Sequence, residues 1–123
     1  GKYDLKITAQ SDDALISYDT IVCSLGARYA SYCSNVSRTV FVDPTKEQER
    51  YYAALLKAHQ AVVNAAREGR KLSELYVAAR ESFISSECAE LVPHLGRNVG
   101  FGMGLEFRES AYTLSEKNSA AVV

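Results

Sequence analysis

The sequence predicts an α+β domain in which a pair of helices covers one face of a mostly antiparallel sheet. Three observations lead there. Short apolar or β-branched runs at Ile21–Leu25 and Val36–Val42 have strand length and composition. Two consecutive segments, Tyr52 to Ala66 and Leu72 to Phe83, carry apolar residues at helical spacing. After them the pattern returns to strand, with a glycine-alternating stretch at Gly100–Gly104 and a run at Ala111–Leu114.

Each element has its own signal. Tyr3, Leu5 and Ile7 alternate with Asp4, Lys6 and Thr8, the period of a half-buried strand. Ser11-Asp12-Asp13 marks a turn. The run Ile21–Leu25 reads as a buried strand ended by Gly26, with Cys23 as a small buried hydrophobe. Tyr29 to Thr39 mixes polar and aromatic residues on the way into the next strand. A hairpin loop is the plain reading and a ligand-facing loop the sharper one. Asp43-Pro44 breaks that strand, and Thr45 with Gln48 forms a capping box for the first helix. Its predicted apolar face runs through Tyr52, Leu55, Leu56, His59, Val62, Val63 and Ala66, and Gly69 is placed as its left-handed stop. The second helix presents Leu72, Leu75, Tyr76, Ala79 and Phe83 on one face, with Pro93 at its end or in the loop beyond. The apolar tail Ala120–Val123 reads as a strand cut short. Residues 1–123 are therefore expected to be one partial domain whose last strands lie beyond the chain.

Composition bounds the function. The formal charge is −1, which argues against a nucleic-acid binder driven by a basic excess. No apolar run approaches the ~20 residues that span a bilayer. The chain opens on Gly1 and is read as an excised fragment, so a missing targeting signal says little. Three cysteines without a Cys-x-x-Cys pair suggest free thiols in a reducing compartment, cytosol or nucleus.

No catalytic set emerges from the residues alone. His59 reads as a core or boundary histidine and His94 as a surface loop residue. The helical glutamates alternate with Lys and Arg and read as solvated faces. The glycines of "GFGMGLEFRE" allow close backbone approach, as on a cleft floor, but lack the Lys-Ser/Thr of a phosphate loop. Glu106 and Glu109 flank Arg108. A local ion pair is the plain reading there and a role in a cleft the sharper one.

Those ten residues, followed by "SEKN" and taken with "RYASYCSNVSRTVFVDPTKEQERYY", resemble the large subunits of FACT-type histone chaperones. The matching part is their N-terminal aminopeptidase-like region, the early part of a pita-bread lobe, and the likeness runs from "YDLKI" to "EKN". That lobe is shared with methionine aminopeptidases, prolidases and creatinases, and the resemblance implies the same fold here. In the metal-dependent members an aspartate stands in Asp-x-Gly, where this chain has Ser24-Leu25-Gly26. A second aspartate stands where Asn35 precedes Val36-Ser37-Arg38-Thr39. A metal-binding histidine lies between glycines where this chain has Gly100-Phe101-Gly102, and a His-Glu pair corresponds to Arg108-Glu109.

Ser24, Asn35, Phe101, Arg108 and Glu109 then mark a relic cleft. Two dications about 3.5–4 Å apart repel by roughly 17 kcal/mol at an effective dielectric of 20. Anionic carboxylates must offset that, and Ser24 and Asn35 bring no charge. The resemblance implies a non-enzymatic module without cofactor. It implies histones as partners, and the HMG-box small subunit through other domains of the full chain. It also implies a nuclear, chromatin-bound setting in transcription, replication and repair. A scaffold domain that recruits non-histone chromatin factors is the alternative, and an active metallopeptidase the third.

Overall fold

The computed structural model describes residues 13–15 and 18–123. The strand expected at Tyr3–Ile7, and all of the Ser11–Asp13 turn except Asp13, lie outside the described residues. The elements are β1 (Thr20–Tyr29), β2 (Tyr32–Phe41), α1 (Lys46–Ala65), α2 (Leu72–Ile84), a 3-10 helix (Ala89–His94), β3 (Gly100–Gly102) and β4 (Glu109–Leu114). The α+β class and the antiparallel pairing are as expected. The described strands form two separate two-stranded ribbons, β1–β2 and β3–β4, where one continuous sheet was expected.

Gly26 does not end β1. The strand runs through it, with Gly26 opposite Asn35. A Cβ there would sit 2.5 Å from the Ser34 carbonyl oxygen, so glycine permits close strand approach instead of a break. The expected loop at Tyr29–Thr39 shrinks to a two-residue turn, Ala30-Ser31, with φ of 46° and 67°. Left-handed turns of this kind match strand twist, which lets β2 begin at Tyr32. Nor is β1 buried. Cys23 and Leu25 are exposed, because the described ribbon has nothing packed on that face.

The capping box forms as predicted. Gln48 N–H donates to Thr45 Oγ1 at 3.2 Å, and Thr45 N–H to Gln48 Oε1 at 2.8 Å. The buried face of α1 differs from the predicted one. Ala54 and Ala58 are buried, whereas Leu55, Leu56, His59 and Val63 are exposed. Small residues let α1 lie close against α2, whose Leu72, Leu75, Ala79 and Phe83 are buried as the spacing predicts. Ala54, Ala58, Phe83 and Cys88 form the core cluster, closed by Tyr51, Leu91, Val92 and Leu95.

Gly69 is left-handed (φ 80°) but lies beyond the helix, which ends at Ala65 with Ala66 as its cap. Its place is the α1–α2 turn. Pro93 does not end α2, which stops at Ile84; it lies in the segment beyond, which is a 3-10 helix and not a loop. The tail does pair, though briefly. Val122 bridges Lys71, Leu72 N–H donates to Ala121 O at 3.0 Å, and Val123 N–H to Arg70 O at 2.9 Å. Asn118 Nδ2 holds the tail to β4 through the Ala111 and Thr113 carbonyls, 2.9 Å each. No described helix is long and apolar enough to cross a membrane.

Candidate functional site

The ribbon register decides which side chains meet. Directly opposed residues share a face, and faces alternate along each strand. The pairs Ser24–Ser37, Gly26–Asn35 and Arg28–Cys33 therefore line one face of β1–β2. Ser37 Oγ donates to Ser24 Oγ at 3.3 Å, and Ser24 Oγ to Asn35 Oδ1 at 3.2 Å. This is a neutral relay of hydroxyls and an amide.

The second part of the site comes from β3, β4 and the turn between them. Gly102 pairs with Glu109 across a register shift. A Cβ on Gly102 would lie 2.6 Å from Tyr112 Cβ, so the glycine lets β3 and β4 close up. Phe101 packs on Phe107 at 5.8 Å between ring centroids. The Arg108 guanidinium lies 5.3 Å above the Phe101 ring, a cation–π contact. The ion pair expected between Arg108 and its flanking glutamates does not form. Glu109 Oε1 instead accepts the Glu106 N–H at 3.1 Å, and Gly104 N–H donates to the Glu106 carbonyl at 3.1 Å. Glu109 thus caps its own turn.

The two parts meet at Arg28 and Cys33, which are not among the five expected residues, and at the Gly104–Leu105 backbone of the glycine stretch. Cys33 N–H donates to the Gly104 carbonyl at 2.8 Å. Arg28 Nε donates to Cys33 Sγ at 3.3 Å, and Arg28 Nη2 to the Leu105 carbonyl at 3.5 Å. Gly104 is buried at this junction. No hydrogen bond runs directly from Ser24 or Asn35 to Phe101, Arg108 or Glu109 among the described residues. The five expected residues form two clusters joined through Arg28, Cys33 and the Gly104–Leu105 backbone. Only register could have revealed Arg28, because its place two residues beyond Gly26 matters once the strand is known to continue.

The donor set does not fit a dinuclear metal centre. Phe101 has no lone pair to donate, and Arg108 places a fixed positive charge beside it. Among the described residues, no three of His, Cys, Asp or Glu are grouped to hold a metal ion. A separate apolar cleft of about 350 Å³ lies between β2, α1 and the 3-10 helix, lined by Phe41, Tyr52, Leu55, Phe83, His94 and Leu95. His94 is exposed at its rim and His59 on the outer face of α1, so neither histidine joins the five residues.

Comparison with known proteins agrees with this architecture. The chain is 48% identical over 121 residues to FACT complex subunit SPT16 of Arabidopsis thaliana, covering 96% of this chain and 11% of that protein. It is 44% identical over 119 residues to the Dictyostelium discoideum SPT16, covering 97% of this chain and 11% of that one. The N-terminal domain of SPT16 from chickpea superposes with a TM-score of 0.91 at 41% identity, over 99% of this chain and 29% of that structure. The prolidase of Pyrococcus furiosus superposes at 0.80 with 30% identity, over 97% of this chain and 34% of that structure. The chain thus spans a small part of the curated relatives it matches. The model of metallopeptidase family M24 matches residues 3–123, and the chain belongs to that family.

Proposed function

We propose that the chain is a non-catalytic, peptidase-like module of a histone chaperone, binding histones or histone peptides as nucleosomes are reorganised. Its setting would be nuclear chromatin. Core histones are its direct partners in this reading, and an HMG-box small subunit is reached through other parts of the full protein. The observation that carries the reading is the chemistry of the two clusters. Ser24 with Asn35, and Phe101 with Arg108, offer hydrogen bonds, a ring and a cation. A peptidase of this family needs anionic and imidazole ligands there. Such a surface suits holding an extended peptide, not cutting one. The likeness to FACT complex subunits supports reading the partner as a histone.

The test is a titration of the protein with histone tetramers and dimers at low and high salt, with Arg108→Ala alongside. Saturable binding that weakens in the variant places recognition in the cleft. Unchanged binding moves it to another surface. Metal near one equivalent in the purified protein, with peptidase activity, would overturn the non-catalytic reading.

A second reading has its own observation. Leu55, Leu56 and Val63 leave an apolar face on α1 uncovered among the described residues. That face suits a scaffold role toward a non-histone chromatin factor. Recovery of such a factor without histones, lost in Leu56→Asp, would favour it.

A further inference from the structure

We infer that the apolar cleft between β2, α1 and the 3-10 helix is a docking socket for a partner protein segment in which one large apolar side chain is flanked by lysine or arginine. The socket is lined by none of Ser24, Asn35, Phe101, Arg108 and Glu109, so the inference goes beyond the peptide reading of those residues and stands without it.

The cleft holds about 350 Å³. Ligand pockets run from about 300 Å³ upward, so this one suits a large side chain and little more. Phe83, 5% exposed, is its most deeply buried lining residue. Phe41 and Tyr52 meet edge to face, 5.2 Å between ring centroids, and make an aromatic wall. Leu91 and Leu95 line it half-buried from the 3-10 helix side, while Leu55 stays 49% exposed. A concave apolar site of this kind fits the anchor residue of a partner, because binding energy concentrates where a side chain is fully desolvated in a pocket.

Charge names the flanks of that anchor. Gln48 and Tyr51 both line the cleft, and each is hydrogen-bonded to a carboxylate. Gln48 Nε2 donates to Asp19 Oδ1 at 3.3 Å, and the Tyr51 hydroxyl donates to Glu47 Oε1 at 2.9 Å. The Asp19 backbone is fixed there too, since its carbonyl accepts the Val42 N–H at 2.9 Å, one residue after Phe41. Both carboxylates thus lie one hydrogen bond from the same cavity. Both are exposed, and neither forms an ion pair among the described residues. An ionised carboxylate has about four acceptor sites, so each keeps capacity for a cation. Arg50 stands 5.0 Å over the Tyr51 ring but is already paired with Glu90 at 3.0 Å, which leaves Asp19 and Glu47 uncompensated. An apolar pocket with an acidic rim attracts an apolar residue set between cations and repels one set between carboxylates.

Fluorescence polarisation of the full protein with labelled, end-capped peptides of equal length tests this. The probes carry a central leucine between lysines, alanine in place of that leucine, glutamines in place of the lysines, and glutamates in place of the lysines. The lysine-flanked leucine peptide should bind at least about tenfold tighter than its alanine counterpart. It should bind about threefold or more tighter than the glutamine-flanked one, and the glutamate-flanked one should bind weakest. Leu55→Ser should remove most of the leucine preference. Asp19→Asn and Glu47→Gln keep the bonds to Gln48 and Tyr51, and each should reduce the lysine preference while leaving the leucine preference in place. Arg108→Ala should change neither. Circular dichroism confirms that each variant is folded.

Equal binding of the lysine- and glutamine-flanked peptides would overturn the cationic partner. Binding lost in Arg108→Ala but kept in Leu55→Ser would overturn the socket and leave the histone reading of the other residues standing. Binding by the 123-residue chain that is absent from the full protein would assign the cleft to the protein's own remaining segments and overturn the inference. Failure of every probe to bind either form would overturn it as well, and the histone titration with Arg108→Ala would still decide the other reading.

Discussion

The Ser24 hydroxyl reaches across the ribbon to Asn35 Oδ1 at 3.2 Å, and Ser37 closes the relay behind it. The pair is stable because neither side chain is charged. Aspartate at both positions would set two carboxylates against each other without a cation between them. One would hold its proton well above the usual carboxylate range. A folded-state pKa raised in this way gives stability that is present at acid pH and lost as pH rises through it. The Ser24→Asp, Asn35→Asp double variant should therefore melt lower at neutral pH than at mildly acid pH, relative to the unmodified protein. Adding Zn²⁺ should not restore it without Phe101→His. Full rescue of the double variant by metal would mean that another side chain completes a site here.

Gly26 and Gly102 each close a strand pair. A methyl group at Gly26 would meet the Ser34 carbonyl oxygen at 2.5 Å, and one at Gly102 would meet Tyr112 Cβ at 2.6 Å. Neither neighbour is the free end of a side chain, so the strands themselves must shift. Gly26→Ala and Gly102→Ala should each cost about 1–3 kcal/mol in urea unfolding. Gly96→Ala, whose methyl group would meet the Asn98 carbonyl oxygen at an ordinary 3.5 Å, should cost far less. Equal costs at all three would show that the close contacts at Gly26 and Gly102 do not set the effect.

The helices show what the sequence could and could not reveal. Thr45 and Gln48 announce the start of α1, because capping is local chemistry between residues three apart. The spacing of α2 names its buried face through Leu72, Leu75, Ala79 and Phe83, while Tyr76, placed on the same face, is only half-buried. For α1 the large residues mislead. Its described partner contacts Ala54 and Ala58, since close helix approach selects small side chains that hydrophobicity patterns underweight. Gly26 misled for a related reason, since its role depends on what lies across the ribbon. The candidate site was half legible. Ser24, Asn35, Phe101, Arg108 and Glu109 could be named from motif resemblance, but Arg28 and Cys33 enter only through pairing register.

The α1 finding makes its own prediction. Ala58 is 3% exposed and Leu56 is 51% exposed. Ala58→Leu should force α1 and α2 apart and destabilise by about 1–3 kcal/mol. Leu56→Ser, on the uncovered face, should stay within about 0.5 kcal/mol. Chemical denaturation of both variants decides the matter. A larger loss at Leu56 would show that the outer stripe is packed in solution against something the described residues do not include.

Tyr51 ties α1 to pH. Its hydroxyl donates to Glu47 Oε1 at 2.9 Å, one helical turn earlier. That bond to a carboxylate, with smaller contributions from desolvation and the Glu47 charge, raises the Tyr51 pKa above the ordinary tyrosine value, while Arg50 works against the shift. The sign follows from the neutral phenol being the favoured form. Its contribution is fully present below the unfolded-state tyrosine pKa and is lost as pH rises through the higher folded value. Because the group is solvent-facing, the effect is small. Tyr51→Phe should leave the neutral-pH melting temperature nearly unchanged and flatten its fall at alkaline pH. Glu47→Gln should lower the Tyr51 titration midpoint, read from tyrosinate absorbance against the Tyr51→Phe blank. An unchanged midpoint in Glu47→Gln would show that the carboxylate does not hold the proton.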